Sequence, residues 1–233
     1  LVNFCYNPGI ASIEDCPDIV KKCRGIVFDE NGKIVLNAFA YTPEYSTDDL
    51  KILEEFANIG GGVHESEGDN NLPAIMRGIE KCSFYESYEG ALLRVFNYNG
   101  KWFVSTHRKL NAFKSKWGGP QSYGTSFKNG VKNNIDDNPD LATKIGDTNS
   151  GFFSAFLDTL DQNHSYMFLV RNIDQNRLVC LPPENQEIYH VGTFKNGNEI
   201  DMEDEIGIKK PKKYQFDHID DIYNHVNSRD PSV

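Results

Sequence analysis

The 233-residue chain has no apolar run near the ~18 residues that a membrane span requires, and no charged start followed by an apolar core marks a secretory signal. Both absences predict a soluble, intracellular chain with no membrane partner. Cysteine is sparse: Cys5, Cys16, Cys23, Cys82 and Cys180 are odd in number, with no Cys-x-x-Cys pair and no histidine at zinc-ligand spacing. Reduced thiols are expected, with neither a disulfide framework nor a metal site. Gly-x-Gly-x-x-Gly and phosphate-loop sequences are both missing, so the common nucleotide folds lose their usual support. There is no internal repeat and no long low-complexity tract. The chain starts on leucine, which suggests a trimmed or processed form.

What is present reads first as paired strands. Arg24 to Ala38 holds two apolar runs around Asn31-Gly32, the pattern of a β-hairpin. Ala91 to Phe96 and Lys101 to Thr106, rich in aromatic and β-branched residues, flank a Tyr98-Asn99-Gly100 turn and predict a second hairpin. Further strands are expected at Tyr166 to Arg171, Arg177 to Leu181 and Glu187 to Phe194. Helices are predicted for Ser46 to Asn58, from its capping-box spacing, and for Asp217 to Val226. A third is placed around Phe152, Phe153, Phe156, Leu157 and Leu160, behind a Ser150 cap. Gly60 to Leu72 and most of residues 118 to 151, punctuated by Gly, Asn, Asp and Pro, read as loop. Strand pairs with separate helices and no βαβ rhythm predict an α+β fold with two largely antiparallel sheets flanked by helices.

Charge is unevenly distributed. Lys plus Arg is 24 against 34 Asp plus Glu, a net charge of −10, which taken whole opposes a nucleic-acid partner. Acidic residues, however, are entirely absent from the 45 residues between Ala91 and Ile135, which carry Arg94, Lys101, Arg108, Lys109, Lys114, Lys116, Lys128 and Lys132. That block is +8, leaving −18 on the rest. Its densest part, Ser105 to Trp117, interleaves cations with hydroxyls and aromatics, a composition that holds phosphates by charge and bases by stacking. Arg108, Lys109, Lys114 and Lys116 are the candidate phosphate or nucleic-acid contacts. The competing reading is a solvated basic face paired with acidic neighbours. The runs Glu199 to Glu205 and Lys209 to Lys213 are read in that way, as solvated neighbours of opposite sign.

Three segments in order are Cys23-Arg24-Gly25-Ile26-Val27-Phe28-Asp29, Glu86-Ser87-Tyr88-Glu89-Gly90 running on to Phe96, and Tyr166 to Val170 leading to Asn176-Arg177-Leu178-Val179. Over about residues 15 to 230 this set resembles the nucleotidyltransferase domain of phage-type, ATP-dependent RNA ligases, in the branch found in large DNA viruses. The resemblance implies one nucleotidyltransferase domain over residues 1–233, in a host cytoplasm or a virion. It also implies a nucleotide site containing Arg24, Ser87, Glu89, Gly90 and Arg94. In that family a lysine attacks the α-phosphate of ATP with Mg²⁺ assistance, and the adenylate passes to an RNA 5′-phosphate, so ATP and Mg²⁺ are the cofactors expected of an active member. Charge stabilisation on the phosphoryl oxygens dominates such a step, which explains the cations around the lysine.

The chain departs from the pattern where that chemistry sits. Ser87 occupies the lysine position of Lys-x-Asp-Gly, and a serine hydroxyl with no evident base is a poor nucleophile. Leu169 stands where the family has a glutamate, Tyr41 where it has a lysine, and Asn37 where it has an arginine. The family's Glu-Gly and Lys-x-Lys motifs would fall beyond Val233. No catalytic residue is therefore assigned. Three readings stay open: a degenerate domain that still binds nucleotide or RNA phosphate, an active ligase using another lysine such as Lys81, and a scaffold in a larger protein assembly.

Overall fold

A computed structural model describes residues 1–6, 16–37, 39, 82–116, 119–146, 151–173, 182–200 and 206–229. The expected helix at Ser46 to Asn58, the loop at Gly60 to Leu72 and the strand at Arg177 to Leu181 lie outside the described residues. The chain divides into two compact units, Leu1–Tyr41 with Tyr88–Lys210, and Thr42–Ser87 with Pro211–Val233. The class is α+β, and every strand pairing among the described residues is antiparallel.

In the first unit, strands β1 (Val2–Cys5), β2 (Arg24–Phe28) and β3 (Ile34–Leu36) form a three-stranded sheet, with helix α1 (Asp18–Lys22) between β1 and β2. The β2–β3 hairpin turns where Asn31-Gly32 predicts it. The Asp29 carboxylate accepts from the Asn31 and Lys33 amides, and Gly32 takes φ +77°. In the second unit, the short strand β4 (Phe84–Tyr85) pairs with β10 (Lys213–Tyr214).

The larger sheet of the first unit contains β5 (Ala91–Tyr98), β6 (Lys101–Thr106), β7 (His164–Arg171), β8 (Glu187–Lys195) and β9 (Asn198–Ile200), in the order β6-β5-β7-β8-β9. The β5–β6 turn uses Asn99 and Gly100 at φ +53° and +74°, the left-handed pair that a two-residue hairpin turn demands. Strand β5 is covered on both faces. Leu93 and Val95 join Phe168, Val170 and Ile188 against the helices, whereas Phe96 and Met167 meet Val27 and Leu36 of the smaller sheet.

The helical layer corrects one expectation. Residues 118 to 151 are not mostly loop; they hold α2 (Tyr123–Asp137) and α3 (Pro139–Ile145), followed by α4 (Phe152–Asp158). Local signals for α2 and α3 exist in the Ser122 side chain, which accepts from the Thr125 amide, and in Asn138, which accepts from the Asp140 and Leu141 amides ahead of Pro139. Glycine hid the pattern. Gly124 and Gly130 are low-propensity helix residues, but both are buried, and each marks where the helix presses on a neighbour, Phe113 and Ile188 respectively. Phe127 and Val131 of the same helix, both fully buried, complete the apolar face. The α4 expectation holds for its inward face, but its N-cap residue is Gly151, with no side-chain cap. The second unit's α5 (Ile219–Asn227) forms as predicted.

Gly130 supplies a test of this packing. A methyl group there would overlap Ile188 Cγ2, and Ile188 is fully buried. Gly130→Ala is expected to gain about 1 kcal/mol of helix propensity and to lose about 1–3 kcal/mol to overpacking. The expected outcome is a net loss in urea unfolding at unchanged m-value, the opposite sign to a Gly→Ala change on an exposed helix face.

Candidate functional site

Arg94 organises the end of the first unit at which Arg24 and Arg108 both act on His107. It sits mid-strand in β5 on the face opposite Leu93 and Val95, and it is fully buried. One terminal guanidinium nitrogen donates to the Gly25 carbonyl of β2. The other donates to the Asn3 side-chain oxygen of β1, at 3.1 Å, and to the Thr106 carbonyl at the end of β6. Asn3 in turn donates from Nδ2 to the His107 carbonyl at 2.9 Å. The guanidinium thus ties β1, β2 and β6 together. Burial pulls its pKa down to about 10, so it stays charged at neutral pH.

Gly25 makes that brace geometrically accessible. It takes φ +96°, and a Cβ there would sit 2.6 Å from the His107 carbonyl oxygen and would overlap Arg94 Nη1. Only glycine allows β2 to approach both. The adjoining residue, Arg24, lies opposite Cys5 in the β1–β2 register and is half-buried.

Beyond the brace, Thr106 shapes a tight basic loop. Its hydroxyl accepts from the Arg108 and Lys109 amides at 3.3 and 3.0 Å, and its own amide donates to the Lys109 carbonyl at 2.8 Å. Arg108 and Lys109 are thereby directed to solvent, and both are exposed. His107 reports the local field. Its partial burial, then Arg108, Arg94 and Arg24, hold its pKa below the usual histidine value. Three guanidinium groups therefore act on one imidazole. The chain continues through Asn111, whose side chain caps a 3-10 turn at Ala112–Lys114. Ala112 and Ser115 are buried as anchors, and Lys114 and Lys116 are exposed. Among the described residues, none of the ion pairs uses Arg24, Arg108, Lys109, Lys114 or Lys116. Among the described residues the paired-neighbour reading fits Lys132, bonded to Asp136 at 2.6 Å.

The remaining site candidates fall elsewhere. Ser87 is exposed and belongs to the second unit, and Tyr88, next in sequence, belongs to the first. Gly90 lies against β7: a Cβ there would be 2.5 Å from the Val170 carbonyl oxygen, so close strand packing accounts for this glycine. Glu89 is half-buried. Leu169 sits in β7 between Leu92 of β5 and Tyr189 of β8. Trp102 packs against the helical core, and Trp117 and Lys81 lie outside the described residues.

One cluster was missed by sequence reasoning. The Tyr88 ring stacks on Tyr189 at 4.4 Å and 20°, with the Arg171 guanidinium 5.0 Å from the Tyr88 centroid. Lys209 lies 4.4 Å from the Tyr189 centroid. Glu187 joins the two cations, 2.7 Å from each of Arg171 and Lys209. Burial opposes the charge on Lys209, but its bonds to Glu187 and Tyr189 outweigh that and raise its pKa. Lys209 is thus an exposed charge that is also engaged by this cluster. The available signal was Tyr88 itself, an aromatic inside the Ser-Tyr-Glu-Gly segment.

No family model matches the chain. Among curated proteins it is 32% identical over 179 residues to the "Immediate-early protein ICP-46 homolog" of Invertebrate iridescent virus 3, covering 76% of this chain and 34% of that protein. It is 27% identical to the "Immediate-early protein ICP-46" of Frog virus 3 (isolate Goorha), covering 77% of this chain and 47% of the relative. A more distant relative, at 21% identity over 89% of this chain and 26% of its own length, is the "Putative bifunctional polynucleotide kinase/RNA ligase" of Autographa californica nuclear polyhedrosis virus. The chain spans about a quarter to a half of the length of these relatives. In sequence it is similar to proteins of large DNA viruses, one of which carries RNA ligase in its name.

Proposed function

We propose that the chain is an RNA-ligase-like nucleotidyltransferase domain that binds nucleotide or RNA phosphate and does not form an AMP-lysine at its first motif. The observation that carries the binding half is the basic loop. Arg24, Arg108, Lys109, Lys114 and Lys116 are outside every ion pair of the described residues, and three guanidiniums act on His107. Cations outside the ion pairs of the described residues, on a chain of net charge −10, are suited to the phosphates of a partner. The similarity to a viral protein named for RNA ligase supports the ancestry. The catalytic half rests on Ser87: an adenylyl-serine diester is too stable to pass its adenylate on, whereas a phosphoramidate on lysine is reactive enough.

Two measurements test the reading. Incubation with α-labelled ATP and Mg²⁺, followed by a denaturing gel, is expected to leave the chain unlabelled. Label retained on the chain and lost on mutation of one lysine would instead overturn the inactive reading. A 5′-phosphorylated single-stranded RNA should bind with a steep salt dependence. Arg108→Gln with Lys109→Gln should weaken binding about tenfold and flatten the log–log salt slope by about 1.4, from roughly 0.7 per phosphate contact on a single strand. A salt-independent response would favour the scaffold reading, in which the basic loop meets a protein.

A further inference from the structure

We propose that Phe113 is a base-stacking platform that makes the basic loop select single-stranded over duplex nucleic acid. This rests on the phosphate-binding reading of the same loop and adds its ligand class. Phe113 is the middle residue of the 3-10 turn at Ala112–Lys114, and 42% of its surface is exposed although it is a large apolar ring. Its neighbours in the turn explain why it is presented outward. Ala112, fully buried, anchors the turn in the core, and the Asn111 carboxamide accepts from the Phe113 amide at 2.9 Å, so the ring leaves the surface from a fixed backbone.

The ring is also held from behind. Phe153 meets it edge-on, with centroids 6.0 Å apart and planes at 82°, and Gly124 in the first turn of α2 lies so close that a Cβ would be 2.6 Å from Phe113 Cγ. A ring pinned on one side and open on another loses little freedom on stacking with a base, so its contact area is converted efficiently into affinity. Exposed cations flank it in sequence: Lys114 and Lys116 after it, Arg108 and Lys109 before it. No acidic residue occurs in the block from Ala91 to Ile135 to repel a phosphate backbone.

An exposed aromatic ring with exposed cations before and after it in sequence matches a single strand, whose bases are free to unstack and whose phosphates track the charges. In a duplex the base faces are occupied by their neighbours, and only the phosphates remain to be bound. Inorganic polyphosphate offers charge alone. The three ligands therefore separate the role of the ring from the role of the cations.

The test uses the full chain, a 5′-phosphorylated oligouridine, a duplex RNA of equal length and inorganic polyphosphate, in one buffer. Phe113→Ala is expected to weaken oligouridine binding by about 5-fold or more, within the range found for base–aromatic stacking, and to leave polyphosphate binding unchanged. Phe113→Trp should retain or strengthen oligouridine binding. Arg108→Gln with Lys109→Gln should weaken all three ligands. Equal oligouridine affinity in Phe113→Ala and the parent chain overturns the inference and leaves the phosphate reading intact. An equal loss on polyphosphate also overturns it, because the ring would then only support the loop. A parent chain that binds none of the three ligands overturns the phosphate reading itself.

Discussion

Arg94→Ala is expected to destabilise the chain by about 3–5 kcal/mol, read as a fall in the urea midpoint at unchanged m-value. The side chain is fully buried, and it is the common donor to Gly25 of β2, Asn3 of β1 and Thr106 of β6. Truncation leaves two backbone carbonyls and a carboxamide without their donor, and opens a cavity the size of an arginine. Lysine would restore a charge but only a point donor, in place of a planar fork that reaches three segments, so Arg94→Lys should recover a minor part of the loss. The experiment also separates two roles for this residue. A nucleotide contact would cost binding and leave the midpoint in place, whereas the brace seen here costs stability first.

A second large effect concerns acid. His190 of β8 is buried, with Nε2 3.0 Å from the Gly192 carbonyl and 2.8 Å from the Thr193 hydroxyl, and it lies among the rings of Tyr166 and Phe168. Burial, then the positive charge of Lys210, pull its pKa down to about 4, despite the opposing bond to the Gly192 carbonyl. The unfolded chain takes up this proton near the ordinary value of 6.5, and the folded chain does so only near 4. As pH falls below about 6.5 the unfolded state binds more protons, so stability declines until the folded pKa is reached. Two and a half units correspond to a loss on the order of 3 kcal/mol by pH 4. His190→Gln should remove this part of the slope between pH 6.5 and 4. An unaltered slope in that variant would show that other groups carry the acid sensitivity.

The legible parts of the fold were those with a local cause. Both hairpins were predicted because alternating apolar residues meet at Asn-Gly, which favours a left-handed turn wherever it occurs. Helix α2 was not, because Gly124, Gly130 and a series of asparagines depress local propensity, and the seven-residue α3 behind it was read with the same loop. Helix α2 is held instead by close approach to Phe113 and Ile188, neither of them part of the helix, and α3 buries Leu141 in the same core. The same division applies to the site. The acid-free block announced Arg108, Lys109, Lys114 and Lys116 as candidates, and they are exposed and outside the ion pairs of the described residues. Arg94, in the same block, could not be told apart from them. Strand β5 is buried on both faces, so alternation gives no hint of which side its arginine enters. The Tyr88–Tyr189 stack was equally hidden, because its partners come from β7, β8 and the segment after β9.

By itself the sequence determined the α+β class, the two hairpins, and the concentration of positive charge in one acid-free block. These follow from residue identity and short-range pattern. Only the tertiary structure decided which of those charges a ligand can reach. It buried Arg94 as the fastener of three strands, turned Arg108 and Lys109 outward on the hydroxyl of Thr106, and left the Phe113 ring part exposed. The physical reason is desolvation: a guanidinium with protein oxygens on several sides is stable in the core, and one without them has to remain in water.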